Sequence, residues 1–319
     1  MRLLDVKNLT VSFPQAEGVV QAVRGMTLHV DQGESLGIVG ESGSGKSVTC
    51  LAALRLLRQP PARINADRLN LAGVDVLTAR GADLAALRGR VAAMIFQDPM
   101  TAFDPSFTIG HQIVETIRAH RVTTKSAART EAGALLTRVE IKNAGAVLAC
   151  YPHQLSGGML QRAMIAMALS CRPQVLFADE PTTALDVTIQ AQILQLIKEL
   201  QDELNMGLVM VTHDLGVIAE TVDRVVVMYG GRVMEQGPVQ EIFDAPAHPY
   251  TQALLNSMPG RTAGRQRLIE IDGTSPNPMH PPSGCPFHPR CPRADTRCAV
   301  EVPEFVTVAP GREAACLKL

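Results

Sequence analysis

Two kinds of hydrophobic patterning divide this chain. Residues 1–34 alternate apolar and polar positions, as in Leu3-Leu4-Asp5-Val6 and Val19-Val20-Gln21-Ala22-Val23. That period of two predicts antiparallel strands, with turns at Pro14–Gly18 and Asp31–Gly33. Further on, the apolar residues come in short unbroken runs: Ser35–Val39, Val91–Phe96, Val175–Ala178 and Gly207–Val211. Runs of this length with no polar face predict strands buried on both sides, as in a parallel sheet covered by helices. Helical spacing lies between them, over Val48–Leu57, through most of 107–170, and over Val187–Leu204, where Ile189, Ile193, Leu196, Ile197 and Leu200 form one stripe. Short strands are predicted at Arg224–Met228 and Gly231–Glu235. Residues 259–319 lose this periodicity and become rich in Pro and Arg. Such a stretch could not bury a core alone.

The chemistry gathers where the buried strands end. The first run leads into Gly40-Glu41-Ser42-Gly43-Ser44-Gly45-Lys46-Ser47 and then into a helix starting near Val48. Strand, glycine-rich turn, Lys-Ser and helix together make a phosphate-binding loop. Gly43 and Gly45 let successive N–H groups converge on an anion, Lys46 supplies charge to the β- and γ-phosphates, and Ser47 offers a hydroxyl to Mg²⁺. A nucleoside triphosphate, ATP, is the expected ligand. The second run ends at Gln97, where ligands sit in α/β folds, although a solvated turn residue would also fit. The third ends in Asp179-Glu180. Adjacent carboxylates beyond a buried strand are expensive unless they serve a cation or a proton transfer. Asp179 suits Mg²⁺, and Glu180 suits a base or water-orienting role. The fourth ends at Thr212-His213, which places His213 in reach of a γ-phosphate. Leu155-Ser156-Gly157-Gly158-Met159 opens another helix, with Ser156 as its expected N-cap and two glycines exposing N–H groups. Phe13 is either an ordinary strand side chain or a platform for an adenine.

Composition narrows the function. The chain has 319 residues, a net charge of −1, 3% aromatics and no Trp, so nothing global suggests nucleic acid. An apolar fraction of 46% supports a substantial core. No apolar run approaches a membrane span and no leader segment is recognised, so a soluble chain that meets membranes through a partner is expected. Of seven cysteines, Cys50, Cys150 and Cys171 are scattered, while Cys285, Cys291, Cys298 and Cys316 crowd the C-terminal stretch. Their spacing matches neither zinc-ribbon pairs nor the ferredoxin run. Four thiols nonetheless complete a tetrathiolate set, and a small loop-rich tail needs a staple. An iron–sulfur cluster, a zinc ion and reduced unliganded thiols all stay open, with His288 a secondary ligand candidate.

Taken together, these motifs resemble the nucleotide-binding subunits of ABC transporters over residues 1 to about 258. Gly40–Ser47 is similar to Walker A, Gln97 to the Q-loop, and Leu155–Met159 to the LSGGQ signature, with Met159 where many members carry Gln. Val175–Asp179 with Glu180 is similar to Walker B and the catalytic Glu, Ala184-Leu185-Asp186 to the D-loop, and His213 to the switch His. Phe13 falls at the aromatic A-loop position, where Tyr is commoner. The resemblance implies an α/β P-loop NTPase (RecA-like) core with an antiparallel β subdomain and a helical signature subdomain at about 100–172. ATP-site residues would include Gly40, Ser42–Ser47 and Val48, with Mg²⁺ held by Ser47, Gln97 and Asp179. Ser156-Gly157-Gly158-Met159-Leu160-Gln161-Arg162, His248-Pro249-Tyr250-Thr251 and Pro282–Pro292 further resemble the dipeptide/oligopeptide/nickel import subfamily, most nearly its D-type ATPase subunit. That match extends over nearly the whole chain, with residues 259–319 as the subfamily's C-terminal extension.

The resemblance implies a mechanism. Two such subunits, this chain and a related different one, face each other head to tail. ATP on Gly40–Ser47 of one is covered by the signature loop of the other, and Asp186 communicates across the interface. Closure drives two membrane permease subunits, docked beside Gln97, while an extracytoplasmic binding protein delivers cargo. The chain would lie peripherally on the cytoplasmic face of the inner membrane. Peptides are the expected cargo, with nickel, glutathione or another small solute as the alternative. Subfamily members carry a [4Fe–4S] cluster in the extension, which would place Cys285, Cys291, Cys298 and Cys316 around it, with Zn²⁺ the alternative. A soluble ABC protein of DNA repair or translation is disfavoured by the single phosphate loop, the absence of sustained heptads and the lack of positive charge. An iron–sulfur protein with an inert ATP site is disfavoured by the full set Lys46, Gln97, Asp179, Glu180 and His213.

Overall fold

The computed structural model describes residues 1–182, 185–258 and 271–319. Ala184 of the expected D-loop and the start of the C-terminal extension lie outside these. The alternating N-terminal segment forms β1 (Arg2–Gln15) and β2 (Gly18–Asp31), an antiparallel pair. β3 (Ser35–Val39) is the strand before the phosphate loop. β4 (Arg63–Asn65), β5 (Arg68–Leu71) and β6 (Val74–Asp75) follow, and the first two pair with β1 to extend the antiparallel sheet. β7 (Ala92–Ile95), β8 (Val175–Asp179), β9 (Gly207–Val211) and β10 (Arg224–Tyr229) are the remaining central strands. β11 (Arg232–Pro238), β12 (Val306–Ala309) and β13 (Arg312–Ala314) complete the set.

The second sheet has the order β12-β13-β11-β10-β3-β9-β8-β7. Its β10, β3, β9, β8 and β7 run parallel. Every residue of β3, β8 and β9 is buried, which is why these strands read as unbroken apolar runs. One large core packs this sheet against helices Ile109–His120, Lys125–Arg138 and Gly157–Leu169, through Ile113, Ile117, Leu136, Leu160 and Ile165. A second core joins the sheet's other face to the antiparallel sheet, through Leu9, Val11, Met26, Ile38 and Val209. Phe13 is partly buried against this second core.

The C-terminal extension supplies two strands to the central sheet. β13 pairs with β11 at Glu235↔Ala314, and β12 pairs with β13. The sequence pattern does not announce this hairpin, because its strands are four and three residues long and Val306 and Val308 are exposed. A buried ion pair anchors it: Arg312 donates to Glu235 at 2.9 Å, and Glu235 is fully buried. The same carboxylate accepts the N–H groups of Ala247 and His248, both at 2.9 Å. A buried carboxylate with three donors is satisfied, but would be strongly destabilising with its Arg removed.

Candidate nucleotide site and cysteine cluster

Parallel topology brings the predicted residues to one edge. Gly40 follows β3, Gln97 follows β7, Asp179 ends β8, and His213 follows β9, all at carboxyl ends of neighbouring strands. This is the position where α/β sheets hold ligands. Gly40, Gly43 and Gly45 take φ of 150°, 77° and 100°. At Gly45 a Cβ would run into the carbonyl of Ala22, and at Gly40 into the carbonyl of Met228, so both close approaches require glycine. The helix Lys46–Ala53 begins directly afterwards. No acceptor among the described residues pairs with the N–H groups of Gly43, Gly45, Lys46 or Ser47. The Ser44 hydroxyl is buried and likewise has no partner among them. Unpaired donors at a helix start, several of them buried, fit an anion such as a phosphate chain.

Lys46 is buried and donates to the carbonyls of Gly40 at 2.8 Å and Glu41 at 3.0 Å. Burial lowers its pKa, while Glu180, Asp179 and Glu41 act in the opposite direction. Ser47 donates its hydroxyl to Asp179 at 2.9 Å, so two of the three expected Mg²⁺ ligands adjoin. Burial raises the Asp179 pKa, as does the neighbouring Glu180 charge, whereas Ser47 and Lys46 lower it. Two carboxylates against one lysine leave an excess of negative charge where a divalent cation would sit.

Glu180 joins the remaining groups. Gln97 donates to one of its oxygens at 2.9 Å, and His213 Nδ1 lies 3.2 Å from the other. The Glu180 backbone is left-handed, with φ 46°, and its N–H donates to the Val211 carbonyl at 2.8 Å. A glutamate held in that conformation stores about 1–2 kcal/mol of strain, a pattern typical of functional sites. Gln97, Glu180 and His213 thus form one cluster beside Asp179, suited to orienting a water against a γ-phosphate. Val48 lies partly buried on the loop helix.

The signature residues lie elsewhere. Ser156 caps the helix Gly157–Leu169, accepting from Met159 N–H at 3.4 Å. Ser156 and Gly157 are exposed, and a Cβ at Gly157 would meet nothing within 4 Å. Asp186 caps the helix Val187–Leu204 through Ile189 N–H at 3.0 Å. Sequence reasoning passed over Gln161, which is buried and donates to the Pro181 carbonyl at 2.6 Å. It ties the signature helix to the segment following Glu180. Beside Gln97, a groove of about 220 Å³ is lined by Leu56, Met94, Phe96, Met167 and Ala168, among others.

The four C-terminal cysteines are unpaired and close enough for their charges to interact. Burial pushes the Cys285 thiol up to about 11. Backbone N–H groups of Phe287, Arg293 and Lys318 point at the sulfurs of Cys285, Cys291 and Cys316. Yet no three of the four sulfurs lie within 4.8 Å of one another. A single tetrahedral zinc with Zn–S near 2.3 Å would draw its sulfurs to ~3.8 Å apart. Backbone N–H donors aimed at sulfur suit thiolates bound to a zinc ion or to a cluster alike. His288 Nδ1 is 2.9 Å from the Cys285 carbonyl, which leaves Nε2 as its nitrogen open to a ligand.

The fold and this site define an ATP-binding cassette, and the comparisons agree. The ABC transporter family model matches residues 23–183, and a model for the C-terminal region of oligopeptide/dipeptide transporters matches 234–298. The chain belongs to the ABC transporter family of ATP-binding subunits, in its oligopeptide/dipeptide branch. It is 48% identical to the dipeptide transport ATP-binding protein DppD of Escherichia coli, over 99% of this chain and 96% of that one. It is 44% identical to the oligopeptide transport ATP-binding protein AppD of Bacillus subtilis, over 98% and 96%. The glutathione import ATP-binding protein GsiA of Escherichia coli is 53% identical, over 81% of this chain and 42% of that one. Among solved structures, the post-hydrolysis dimer of the ATP-binding cassette MJ0796 with ADP and phosphate superposes with a TM-score of 0.65 at 26% identity. It covers 74% of this chain and 98% of that one.

Proposed function

We propose that this chain is the ATP-hydrolysing subunit of an ABC importer for dipeptides and oligopeptides. Full-length similarity to DppD and AppD supports the cargo class, with glutathione or nickel as the alternative. The observation that carries the catalytic reading is the cluster of Gln97, Glu180 and His213 beside Asp179 and the phosphate loop.

Residues 1–258 act as the cassette, with 100–172 as its helical subdomain, and 259–319 as the extension. The N–H groups of Gly43–Ser47, the Ser44 hydroxyl and Lys46 bind the triphosphate, and Phe13 lies under the adenine. Ser47, Gln97 and Asp179 hold Mg²⁺. Glu180 accepts a proton from, or orients, the attacking water, and His213 contacts the γ-phosphate. Ser156, Gly157, Gly158 and Met159 complete the nucleotide site of a second, related cassette, and Asp186 spans that interface. The groove beside Gln97 receives a coupling helix from one of two membrane permease subunits, which an extracytoplasmic peptide-binding protein feeds. No helix of the described residues is long and apolar enough to cross a membrane. The chain sits peripherally on the cytoplasmic face of the inner membrane.

Cys285, Cys291, Cys298 and Cys316 hold a [4Fe–4S] cluster, whose role is to fix the extension. Anaerobically purified protein should carry iron and sulfide near four each per chain, and Cys291→Ser should lose both. One zinc and no colour would replace the cluster with a structural zinc. The catalytic reading is tested by Glu180→Gln, which should still bind ATP but hydrolyse it at least about 10²–10⁴-fold more slowly. Undiminished turnover would overturn it.

A further inference from the structure

The phosphate loop carries an acidic residue that nucleotide binding does not use. Glu41 sits between Gly40 and Ser42, beside the place where the triphosphate's negative charge must gather. Its carboxylate is matched from the far end of the chain. Arg290 Nη1 donates to both oxygens, at 3.0 and 2.8 Å, and the Ser275 hydroxyl donates as well. The Arg290 side chain is only 8% exposed and Glu41 is 22% exposed, so water screens the pair weakly. The rest of the guanidinium is fixed too: Nε donates to the Asp272 carbonyl at 2.8 Å, Nη2 to the Ile271 carbonyl at 2.9 Å, and Nη1 to the Tyr229 hydroxyl at 3.1 Å. The Glu41 backbone is held in turn. Its N–H donates to the Tyr250 hydroxyl at 3.0 Å, and its carbonyl accepts from Lys46 at 3.0 Å.

We propose that Arg290 is a positioning residue for the phosphate loop, through which the C-terminal extension neutralises Glu41 and sets nucleotide affinity. The inference rests on the nucleotide site proposed above. Its logic is electrostatic. A carboxylate on a loop that binds a polyanion repels the ligand unless a fixed cation cancels it. Arginine suits the task because Nη1 can bond the carboxylate while Nε and Nη2 bond carbonyls at the same time, fixing the charge in place. The neighbouring residue is Cys291, so whatever holds that cysteine also holds Arg290.

The test is an equilibrium titration of the full-length chain with ATP, ADP and AMP, alongside iron content and melting temperature. Arg290→Gln should weaken ATP about ten-fold, the effect of one uncompensated charge at roughly 10 Å under an effective dielectric near 20. ADP should suffer less, and AMP least. Adding Glu41→Gln to Arg290→Gln should restore ATP affinity to within about three-fold of wild type, because the offending charge is gone. Arg290→Lys, which keeps the charge but not the fork, should fall between. Unchanged ATP affinity in Arg290→Gln, or no recovery in the double variant, overturns the proposal. If Arg290→Gln loses iron and melts early, Arg290→Lys with intact iron decides: a loss smaller than about ten-fold and greater for ATP than for AMP supports charge neutralisation, and a loss equal for ATP and AMP overturns it. Lys46→Ala is the control for the nucleotide site itself. If wild type and Lys46→Ala bind ATP equally, the site assignment fails, and not merely the role of Arg290.

Discussion

Two helix starts in this molecule carry the same local chemistry and stand in opposite surroundings. At the phosphate loop and at the signature, glycines open a helix and leave N–H groups facing outward. At the phosphate loop the glycines are required from within. Gly45 abuts the Ala22 carbonyl, Lys46 is buried, and Asp179 and Ser47 close the far side. At the signature, a Cβ at Gly157 would meet nothing among the described residues, and Ser156 and Gly157 are exposed. A glycine that internal packing does not need is explained by something that approaches from outside. On the function proposed above, the first loop is a site and the second is half of one, completed by another chain's nucleotide. Gln161, which bonds Pro181 just beyond Glu180, links the two halves within one chain.

Substitutions can break or sharpen that contrast. The largest effect belongs to Glu180→Gln, whose loss of turnover with retained binding would confirm that hydrolysis is organised on this chain's own strand ends. Next is the pair Gly45→Ala and Gly157→Ala. Gly45→Ala should destabilise the chain by about 2 kcal/mol or more in urea unfolding, since φ is 100° and the added Cβ meets a carbonyl. Gly157→Ala should leave stability unchanged or raise it by up to ~1 kcal/mol, because alanine is the better helix former. It should nonetheless slow hydrolysis by the assembled transporter at least about ten-fold. If both alanines act through stability, the contrast is lost.

The smallest expected effect is one of pH, at the seam behind the phosphate loop. His248 is buried, and burial lowers its pKa to about 4, with Arg293 adding to the effect. Its Nδ1 accepts the Tyr250 N–H at 3.0 Å, which the neutral ring alone can do. The unfolded chain takes up a proton near pH 6.5 and the folded chain does not, so stability is full above about pH 6.5 and falls toward pH 4. From pH 7 to 5 this residue should account for about 2 kcal/mol of lost stability, measured by urea unfolding. His248→Asn, which keeps a helix cap, should flatten the profile.

Much of this site could be read in advance, for a physical reason. Strands buried on both faces must be apolar throughout, so their ends are sharply marked, and ligand-binding groups in such a sheet cluster at those ends. Gln97, Asp179, Glu180 and His213 were each placed by that rule, and the central sheet with them. The joining of the extension to the sheet was not legible. β12 and β13 are short and partly exposed, so they leave no run long enough to read. The pairs Glu41–Arg290 and Glu235–Arg312 join residues 249 and 77 positions apart. Charge pairs at such separations leave no periodic trace in the sequence.

The central claim, that the signature glycines serve a nucleotide held by another chain, is tested most directly by titrating ATP against the isolated chain carrying Gly157→Ala, and then measuring hydrolysis by the transporter assembled with it. The account predicts wild-type affinity in the first measurement and strongly reduced turnover in the second. Weakened ATP binding by the isolated, folded variant would place Gly157 in its own chain's site and contradict the account.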